Sequence, residues 1–306
     1  MSTATSSIPA ATLPADATPA DNRRGMLLFC LFALYGVWGS TYLAIHWALE
    51  GGCPPFLMAG VRYTVAGGIL YPVLRLRGYA HPSVREWGAG ALMGFLLLVV
   101  GNGSVVFAQQ WLPSGLVAIV VGSVPLWASV FAGLLGQWPG RAERWGLAIG
   151  FCGLILLNLG SDLSGNLWAA FALLVGPVSW AFGSVYSRRL PLAAGLMSTA
   201  TQMLTAGAMF LLVSTLKGEH LAALPPPRAL LSVGYLIVFG SLVAFSAYGY
   251  LLRNARPALA TSYAYVNPMV AVLLGTFLAG ESLSTWGFLA MGAILGAVGL
   301  ITRSKR

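Results

Sequence analysis

Long apolar stretches alternate along the chain with short polar segments, and most apolar stretches have the length of a membrane span. A helix rises about 1.5 Å per residue, so about 20 apolar residues cross the hydrocarbon core of a bilayer. Because the connecting loops are short, no room remains for a soluble domain. The pattern predicts an all-α integral membrane protein with ten transmembrane helices, at residues 26–47, 55–75, 87–109, 114–135, 144–160, 166–186, 194–216, 229–252, 258–280 and 285–302.

Composition supports this interpretation. Of the 306 residues, 58% are hydrophobic and 8% are charged, whereas a soluble protein carries about 25% charged residues to keep its surface wetted. A soluble enzyme is therefore excluded. Residues 1–25 are rich in Ala, Thr, Ser and Pro and are predicted to form a disordered cytoplasmic tail, because they cannot bury a core. No small-residue cleavage site follows the first apolar run, which predicts a retained helix.

The basic residues predict the orientation. The net charge is +9, from 17 Lys and Arg against 8 Asp and Glu. Alternating assignment of the loops places all but three basic residues on one side, with Lys217 and Arg228 on the other and Arg62 inside a span. By the positive-inside rule both termini are cytoplasmic, which requires an even number of spans. Because the excess charge lies in loops, it predicts no nucleic-acid partner.

The chain also repeats itself at an offset of 143 to 146 residues. Two five-helix repeats are predicted, at residues 26–160 and 161–303. Since five is odd, the two repeats have opposite topology, a construction associated with transporters whose halves expose a central site to each side in turn. The matching features are Pro125 with Pro268, Gly39-Ser40-x-Tyr42 with Gly183-Ser184-x-Tyr186, and the glycines at 146, 150 and 153 with those at 292, 296 and 299.

These features together resemble the EamA family of the drug/metabolite transporter superfamily. The resemblance covers residues 26–303 and includes Trp38-Gly39-Ser40, the mid-helix proline and Gly280-Glu281. It implies a basket-like inverted-repeat fold in a bacterial inner membrane, with a central cavity lined mainly by helices one, three, four, six, eight and nine. Gln137-Trp138 takes the place of Gly-Glu in the first half, so any role of the family glutamate transfers only to Glu281.

The resemblance further implies an alternating-access carrier that exports small metabolites, and the likeness is greatest to bacterial amino-acid exporters. Polar side chains in apolar spans favour a bundle interior or a wet cavity, and neutral ones can hold a zwitterion. Ser and Thr can equally bond their own helix, and Asn can bridge neighbouring helices. The candidate cavity residues are Ser40, Thr41, Asn102, Gln109, Ser184, Tyr186, Ser246, Tyr248, Ser262, Tyr265 and Asn267.

Two tryptophans, Trp38 and Trp180, lie deeper in their spans than the others. They are predicted to form flat apolar walls for an aromatic solute, with core packing as the alternative. The tryptophans at span ends are predicted to form an interfacial belt. They are Trp47, Trp87, Trp111, Trp145 and Trp286.

Pro125 and Pro268 lie mid-span in equivalent helices. A proline inside a helix leaves the carbonyl four residues earlier without its donor, here that of Val121 or Ala264. In lipid such a group must be satisfied by protein or water. We therefore predict kinks against the central cavity that act as hinges, with a static packing kink as the alternative.

Arg62 is the one charged residue deep within a predicted span. An unpaired guanidinium in lipid is costly, so a partner is expected. One hypothesis pairs it with an acid at the outer side or with carbonyls at a helix end; the other gives it a substrate carboxylate. The acids at that side are Glu50, Asp162, Glu219 and Glu281.

Several classes of chemistry are disfavoured. An intramembrane enzyme would need a carboxylate pair or a His cluster facing its substrate, and the spans contain neither. No metal or cofactor is expected. Cys30, Cys53 and Cys152 are predicted to be packing residues. No acid lies mid-span, which favours facilitated transport over proton antiport. The lipid bilayer and a small-molecule substrate are the predicted partners. A drug carrier and a membrane receptor or scaffold remain alternatives, and the oligomeric state is open.

Overall fold

The computed structural model describes residues 20–112, 117, 120–157, 166–279 and 285–303, and these ranges are helical apart from short connections. Two of the helices contain π-helical segments, Gly94–Asn102 and Leu236–Val243. The longer helices are α1 Ala20–Glu50, α2 Pro55–Leu76, α3 Val84–Ala108, α4 Val124–Leu134, α5 Arg141–Leu157, α6 Leu167–Tyr186, α7 Leu196–Leu216, α8 Pro227–Asn254, α9 Tyr263–Ala279 and α10 Thr285–Arg303.

Six of the described helices are long and apolar enough to cross a membrane, namely α1, α2, α3, α6, α7 and α8. The membrane prediction is confirmed for these six. The other described helices contribute shorter apolar stretches, including Val124–Leu134 and Gly292–Ile301. Large apolar side chains such as Phe29, Phe32 and Phe171 are 60–71% exposed on the outer surface. An apolar surface of this kind suits lipid and not water.

The packing of the helices relates the two halves of the chain. Helix α2 packs along α7, and α5 packs along α10. Helix α1 contacts α8 and α9, while α6 contacts α3 and α4. This pattern maps onto itself when each helix is exchanged with the helix five positions away. The two halves therefore surround a common interior with equivalent helices in equivalent places.

Glycines allow the close approach of α2 and α7. Gly67 on α2 faces Leu204, and a Cβ at Gly67 would lie 2.9 Å from the Leu204 backbone nitrogen. Gly207 on α7 faces Thr64, with the corresponding distance 2.7 Å. Small residues at such positions let two helix backbones come together, which is how helices associate in lipid.

The glycines of the fifth and tenth helices behave differently from one another. Gly146 and Gly150 on α5 face Ile301 and Tyr265, so this row packs within the chain. For the equivalent row on α10, at residues 292, 296 and 299, no atom of the described residues lies within 4 Å of where a Cβ would be. The shared glycine spacing therefore does not serve the same contact twice.

Three local expectations are corrected. Helix α1 begins at Ala20, so residues 20–25 are helical and not part of a disordered tail. An acid near the start of a helix, such as Asp21, favours helix formation there.

A kink in the middle of a span was expected at Pro125, but Pro125 lies in the first turn of α4, directly after a turn at residues 122–123. Pro268, by contrast, lies inside α9. Cys152 is exposed, while Cys30 and Cys53 are buried as expected.

We predict that Gly207→Ala destabilises the protein, because the new Cβ would press on the backbone of Thr64. Overpacking of this kind costs about 1–3 kcal/mol. Gly68→Ala on α2 is the matched control, since no described neighbour lies within 4 Å of its Cβ position, and the change should stabilise the helix by up to about 1 kcal/mol. Thermal unfolding in detergent measures both variants. Equal melting temperatures would contradict a tight α2–α7 contact.

Candidate functional site

A central cavity lies between the two halves and has contributions from α1, α2, α3, α6, α8 and α9, together with the start of α4. Its space, mouth included, is about 640 Å³. Helix α2 was not among the cavity helices implied by the family resemblance, and it supplies Arg62 and Tyr63. The wall consists of Trp38, Thr41, Tyr42, Ile45, Arg62, Tyr63, Leu98, Gly101, Asn102, Val105, Val121, Val124, Gly176, Pro177, Trp180, Gly240, Phe245, Tyr263 and Asn267.

The structure brings part of the predicted site together in this wall. Three polar candidates, Thr41, Asn102 and Asn267, line the central cavity, as do both inner tryptophans, Trp38 and Trp180. Arg62, singled out from the sequence as a buried charge, lines it as well. These residues come from five helices, so their meeting depends on the tertiary arrangement.

Seven other predicted site residues lie outside the wall of the central cavity; five of them bond a neighbouring helix, whereas Tyr186 stacks within α6 and Ser246 makes no hydrogen bond with the described residues. They comprise Ser40, whose hydroxyl lies 2.6 Å from that of Tyr235; Ser262, bonded to Tyr35 at 2.8 Å; Tyr265, which donates to the Leu147 carbonyl at 3.2 Å; Tyr186, stacked on Phe182; Ser184 and Tyr248, which bond each other; and Ser246.

Gln109 shows why helical spacing alone misplaced one candidate. Its spacing from Asn102 places the two on one face of a continuous helix, and Gln109 follows the last residue of α3 with its backbone nitrogen still bonded to the Val105 carbonyl. Its side-chain amide donates to the Tyr42 carbonyl of α1 at 3.4 Å, and Gln109 is not part of the cavity wall. The two side chains therefore do not form a common polar face.

Arg62 is buried, with 3% of its surface exposed. Its Nε donates to the Ser241 hydroxyl at 2.8 Å, and its guanidinium carbon lies 4.8 Å from the centre of the Tyr63 ring. In the described ranges, the ion pair found is that of Arg256 with Glu143, so no described carboxylate pairs with Arg62. With a serine hydroxyl and an aromatic face as its neighbours, the positive charge has no counter-ion among the described residues.

Of the four acids expected as partners of Arg62, the two that the structure describes, Glu50 and Glu219, do not pair with it. Glu219 instead accepts from the backbone nitrogens of Leu57, at 2.8 Å, and Phe56, at 3.4 Å. It thereby caps the start of α2, where free backbone donors favour a negative charge. Glu50 forms no ion pair in the described structure, so pairing with either residue is wrong. Asp162 and Glu281, with Gly280, lie outside the described residues.

The π-helical segments form two sides of the cavity and are held from the opposite half. Trp38 on α1 donates through its indole nitrogen to the Gly240 carbonyl of α8 at 3.0 Å. Ser179 on α6 donates to the Leu96 carbonyl of α3 at 2.9 Å. Because π segments interrupt the regular helical ladder, side chains can reach their carbonyls. Hydrophobic patterning gives no sign of such segments, so Ser241 was not identified from the sequence. Tyr63 on α2 and Tyr263 on α9 were not identified either.

An aromatic layer beside the central cavity consists of Trp38, Trp180, Tyr248 and Tyr263, of which all but Tyr248 line the cavity. The Trp38 ring centre lies 4.7 Å from that of Tyr263 and 5.6 Å from that of Trp180. The Tyr248 hydroxyl accepts from the Trp180 indole at 2.8 Å and lies 2.5 Å from the Ser184 hydroxyl. This layer is held by edge-to-face and tilted ring contacts and by neutral hydrogen bonds.

A second cavity of about 420 Å³ lies beyond the aromatic layer. Phe245 lines both cavities, and Tyr248 lines the second. The second cavity has a polar wall that includes Ser198, Thr199 and Gln202 from the start of α7. The aromatic layer therefore contributes Trp38, Trp180 and Tyr263 to the first cavity and Tyr248 to the second.

Two amide oxygens in the central cavity lack donors. The Oδ1 atoms of Asn102 and Asn267 are buried and accept no hydrogen bond from the described residues. A buried acceptor without a donor costs about 1–3 kcal/mol. Both oxygens are therefore left unpaired in this conformation, and a bound solute that carries hydrogen-bond donors would supply the missing partners. Within the described residues, no group of three His, Cys, Asp or Glu side chains could hold a metal ion.

Comparison with known proteins identifies the family. The pattern of the EamA-like transporter family matches residues 23–159 and again residues 167–303. The chain belongs to this family. It is 51% identical over 280 residues to "Uncharacterized inner membrane transporter YedA" of Escherichia coli K12, with 91% of each chain covered. This EamA-like protein is a multi-pass inner-membrane transporter of the drug/metabolite type.

Two further relatives extend the comparison of this EamA-like chain. It is 24% identical over 275 residues to a Streptantibioticus cattleyicolor protein named "Probable terminal-alkyne amino-acid exporter", covering 88% of this chain and 90% of that one. A crystal structure of a protein superposes with a TM-score of 0.75 at 21% identity, covering 92% of this chain and 97% of that chain. The second likeness shows a shared fold.

We predict that Ser241→Ala lowers stability by about 1.5–3 kcal/mol, because Arg62 then loses the acceptor of its Nε in a buried place. Ser246→Ala on the same helix is the control, since its hydroxyl makes no hydrogen bond with the described residues. Thermal unfolding of the two purified variants is compared. Equal stability would show that the Ser241 bond does not hold Arg62.

Proposed function

We propose that this protein exports small metabolites, foremost amino acids and among them aromatic ones, by alternating access. The observation that carries the proposal is Arg62, a buried guanidinium with no described counter-ion, in a cavity walled by aromatic rings. Such a cation attracts a solute carboxylate, and Trp38 and Trp180 offer flat apolar faces to its side chain. The amino-acid exporter named among the relatives supports the same substrate class.

The proposed architecture is ten transmembrane helices in two inverted five-helix repeats, arranged as a basket around the central cavity. It is supported by the self-matching packing of equivalent helices and by the two family matches. The excess of Lys and Arg in alternate loops supports cytoplasmic termini. The repeat bounds 26–160 and 161–303 remain predictions, as do Pro125 and Pro268 as hinges.

The aromatic layer is the proposed cytoplasmic gate. Arg188 and Arg253, which belong to the basic-rich loops, line the second cavity, so this cavity lies at the cytoplasmic end in the proposed topology. Opening the layer joins the second cavity to the central one. Neutral hydrogen bonds of about 1 kcal/mol each suit a gate that must open and close in every cycle.

Energy coupling is proposed to be facilitated diffusion down the solute gradient. In the described part of the chain, Glu143 is the buried carboxylate, and it pairs with Arg256 outside the central cavity. A proton relay needs an acid that meets the transport route. We expect equal solute gradients to drive equal flux with and without an imposed pH gradient.

The test is uptake of labelled Trp, Phe, Thr, Met, Lys and Glu into liposomes that contain the purified protein. We predict saturable uptake of apolar and aromatic members, and at least about a tenfold loss for Arg62→Gln, since a charged hydrogen bond contributes about 1.5–3 kcal/mol. Arg62→Lys keeps the charge and should retain more activity.

Absence of uptake of every member by folded protein would overturn the amino-acid proposal. Uptake confined to cationic or uncharged drugs, unaffected by Arg62→Gln, would favour the alternative of a drug carrier. Circular dichroism and thermal unfolding of each variant establish that the protein is folded.

The gate predicts that Tyr248→Phe, which keeps the ring and removes the hydroxyl, opens the layer more often. In a background without Cys30, Cys53 and Cys152, a cysteine introduced by Thr41→Cys reports on the central cavity. We expect a membrane-impermeant maleimide added from the cytoplasmic side to label it several-fold faster in Tyr248→Phe. Tyr265→Phe is the control, since that hydroxyl bonds Leu147 away from the layer. Unchanged labelling would contradict the gate.

A further inference from the structure

The two unsatisfied amide oxygens of the central cavity come from opposite halves of the chain. Asn102 lies at the end of the π segment of α3, and Asn267 lies on α9 directly before Pro268. Asn267 is 2% exposed and lines the central cavity. Burying an amide oxygen that receives no hydrogen bond from the protein lowers the stability of the fold. A bound solute that supplies the donor offsets this free-energy cost.

The repeat of the sequence shows that these amides are not a general property of the wall. At the offset of 143 residues that relates Pro125 to Pro268, Asn267 corresponds to Val124, and Asn102 corresponds to Phe245. All four residues line the central cavity. Each equivalent pair therefore has one amide and one apolar member, so the polar acceptors are distributed asymmetrically in an otherwise repeated wall.

The charges in the same cavity limit which donor fits. Arg62 already supplies a positive charge without a described counter-ion, so a solute that is only cationic is repelled. A solute that is only anionic satisfies Arg62 and leaves both amide oxygens without donors. A zwitterion with separate acidic and ammonium groups satisfies all three, because carboxylates accept from guanidinium and ammonium groups donate to carbonyl oxygens.

We propose that Asn102 and Asn267 are specificity-determining residues that require a protonated amino group on the transported solute, while Arg62 receives its acidic group. This inference rests on the proposed function and narrows its substrate class to zwitterionic amino acids. The cavity thereby rejects the corresponding carboxylic acids without an amino group. A site built to hydrogen-bond a group discriminates strongly against the analogue that lacks it, because its own polar atoms are left unpaired.

The experiment measures competition against uptake of the best amino acid of the liposome panel. The competitors are the same amino acid unlabelled, its analogue without the amino group and its analogue without the carboxylate. For the wild type we expect both analogues to compete at least about tenfold more weakly than the amino acid, which corresponds to about 1.4 kcal/mol.

The variants Asn267→Leu and Asn102→Leu keep the side-chain size and remove the acceptor. We expect each to bring the inhibition constant of the deaminated analogue to within about threefold of that of the amino acid. Asn254→Leu makes the same change at an asparagine that lines neither cavity and donates to the Tyr250 carbonyl; it is the matched control and should keep the wild-type discrimination. Wild-type protein that takes up the amino acid but is inhibited equally by the deaminated analogue would overturn the inference alone.

Asn267→Asp keeps the test decisive where a leucine variant fails to fold. An added carboxylate should bind an amino group more tightly, so the decarboxylated amine is expected to become a several-fold better competitor. An unchanged or weaker effect of the amine would overturn the assignment of Asn267. Lack of any uptake by the wild type would instead overturn the proposed function, so the two failures are distinguishable.

Discussion

The surrounding lipid offers no hydrogen-bond partner, and the rest of the structure follows from that constraint. Every backbone donor and acceptor within the bilayer must be satisfied inside the protein, which favours helices throughout. Irregular backbone is tolerated only where protein or a cavity covers it. In this chain the π segments Gly94–Asn102 and Leu236–Val243 both border the central cavity. There Trp38 and Ser179 donate to their carbonyls from the opposite half.

The same constraint separates structural from functional polar groups. Glu143 and Arg256 satisfy one another at the end of the bundle, and Glu219 satisfies the start of α2. Arg62, by contrast, keeps a hydroxyl and an aromatic face but no described counter-ion. In a medium where unpaired charge is costly, a charge left open at a cavity is the clearest mark of a site that a solute completes.

Much of the fold was predictable because membrane helices are local. Apolar length predicted the spans that α1, α2, α3, α6, α7 and α8 confirm, and short motifs predicted the family that the comparison shows. The site was predictable only in part. Residue type singled out Trp38, Asn102 and Asn267 as cavity candidates and Arg62 as a buried charge, and all four line the central cavity. Residue type alone does not distinguish them from polar residues such as Ser40 and Ser262 that bond neighbouring helices.

The sequence by itself determined that the chain is helical, lies in a membrane, repeats once and belongs to a transporter family, since these properties depend on composition and spacing along the chain. Only the tertiary structure decided which side chains meet. Gln109 bonds the Tyr42 carbonyl of α1 and lies outside the cavity wall, and Ser241 in the π segment of α8 meets Arg62 of α2. A π segment changes the direction of side chains and leaves no mark in the hydrophobic pattern. Partners from distant helices therefore become known only when the helices are packed.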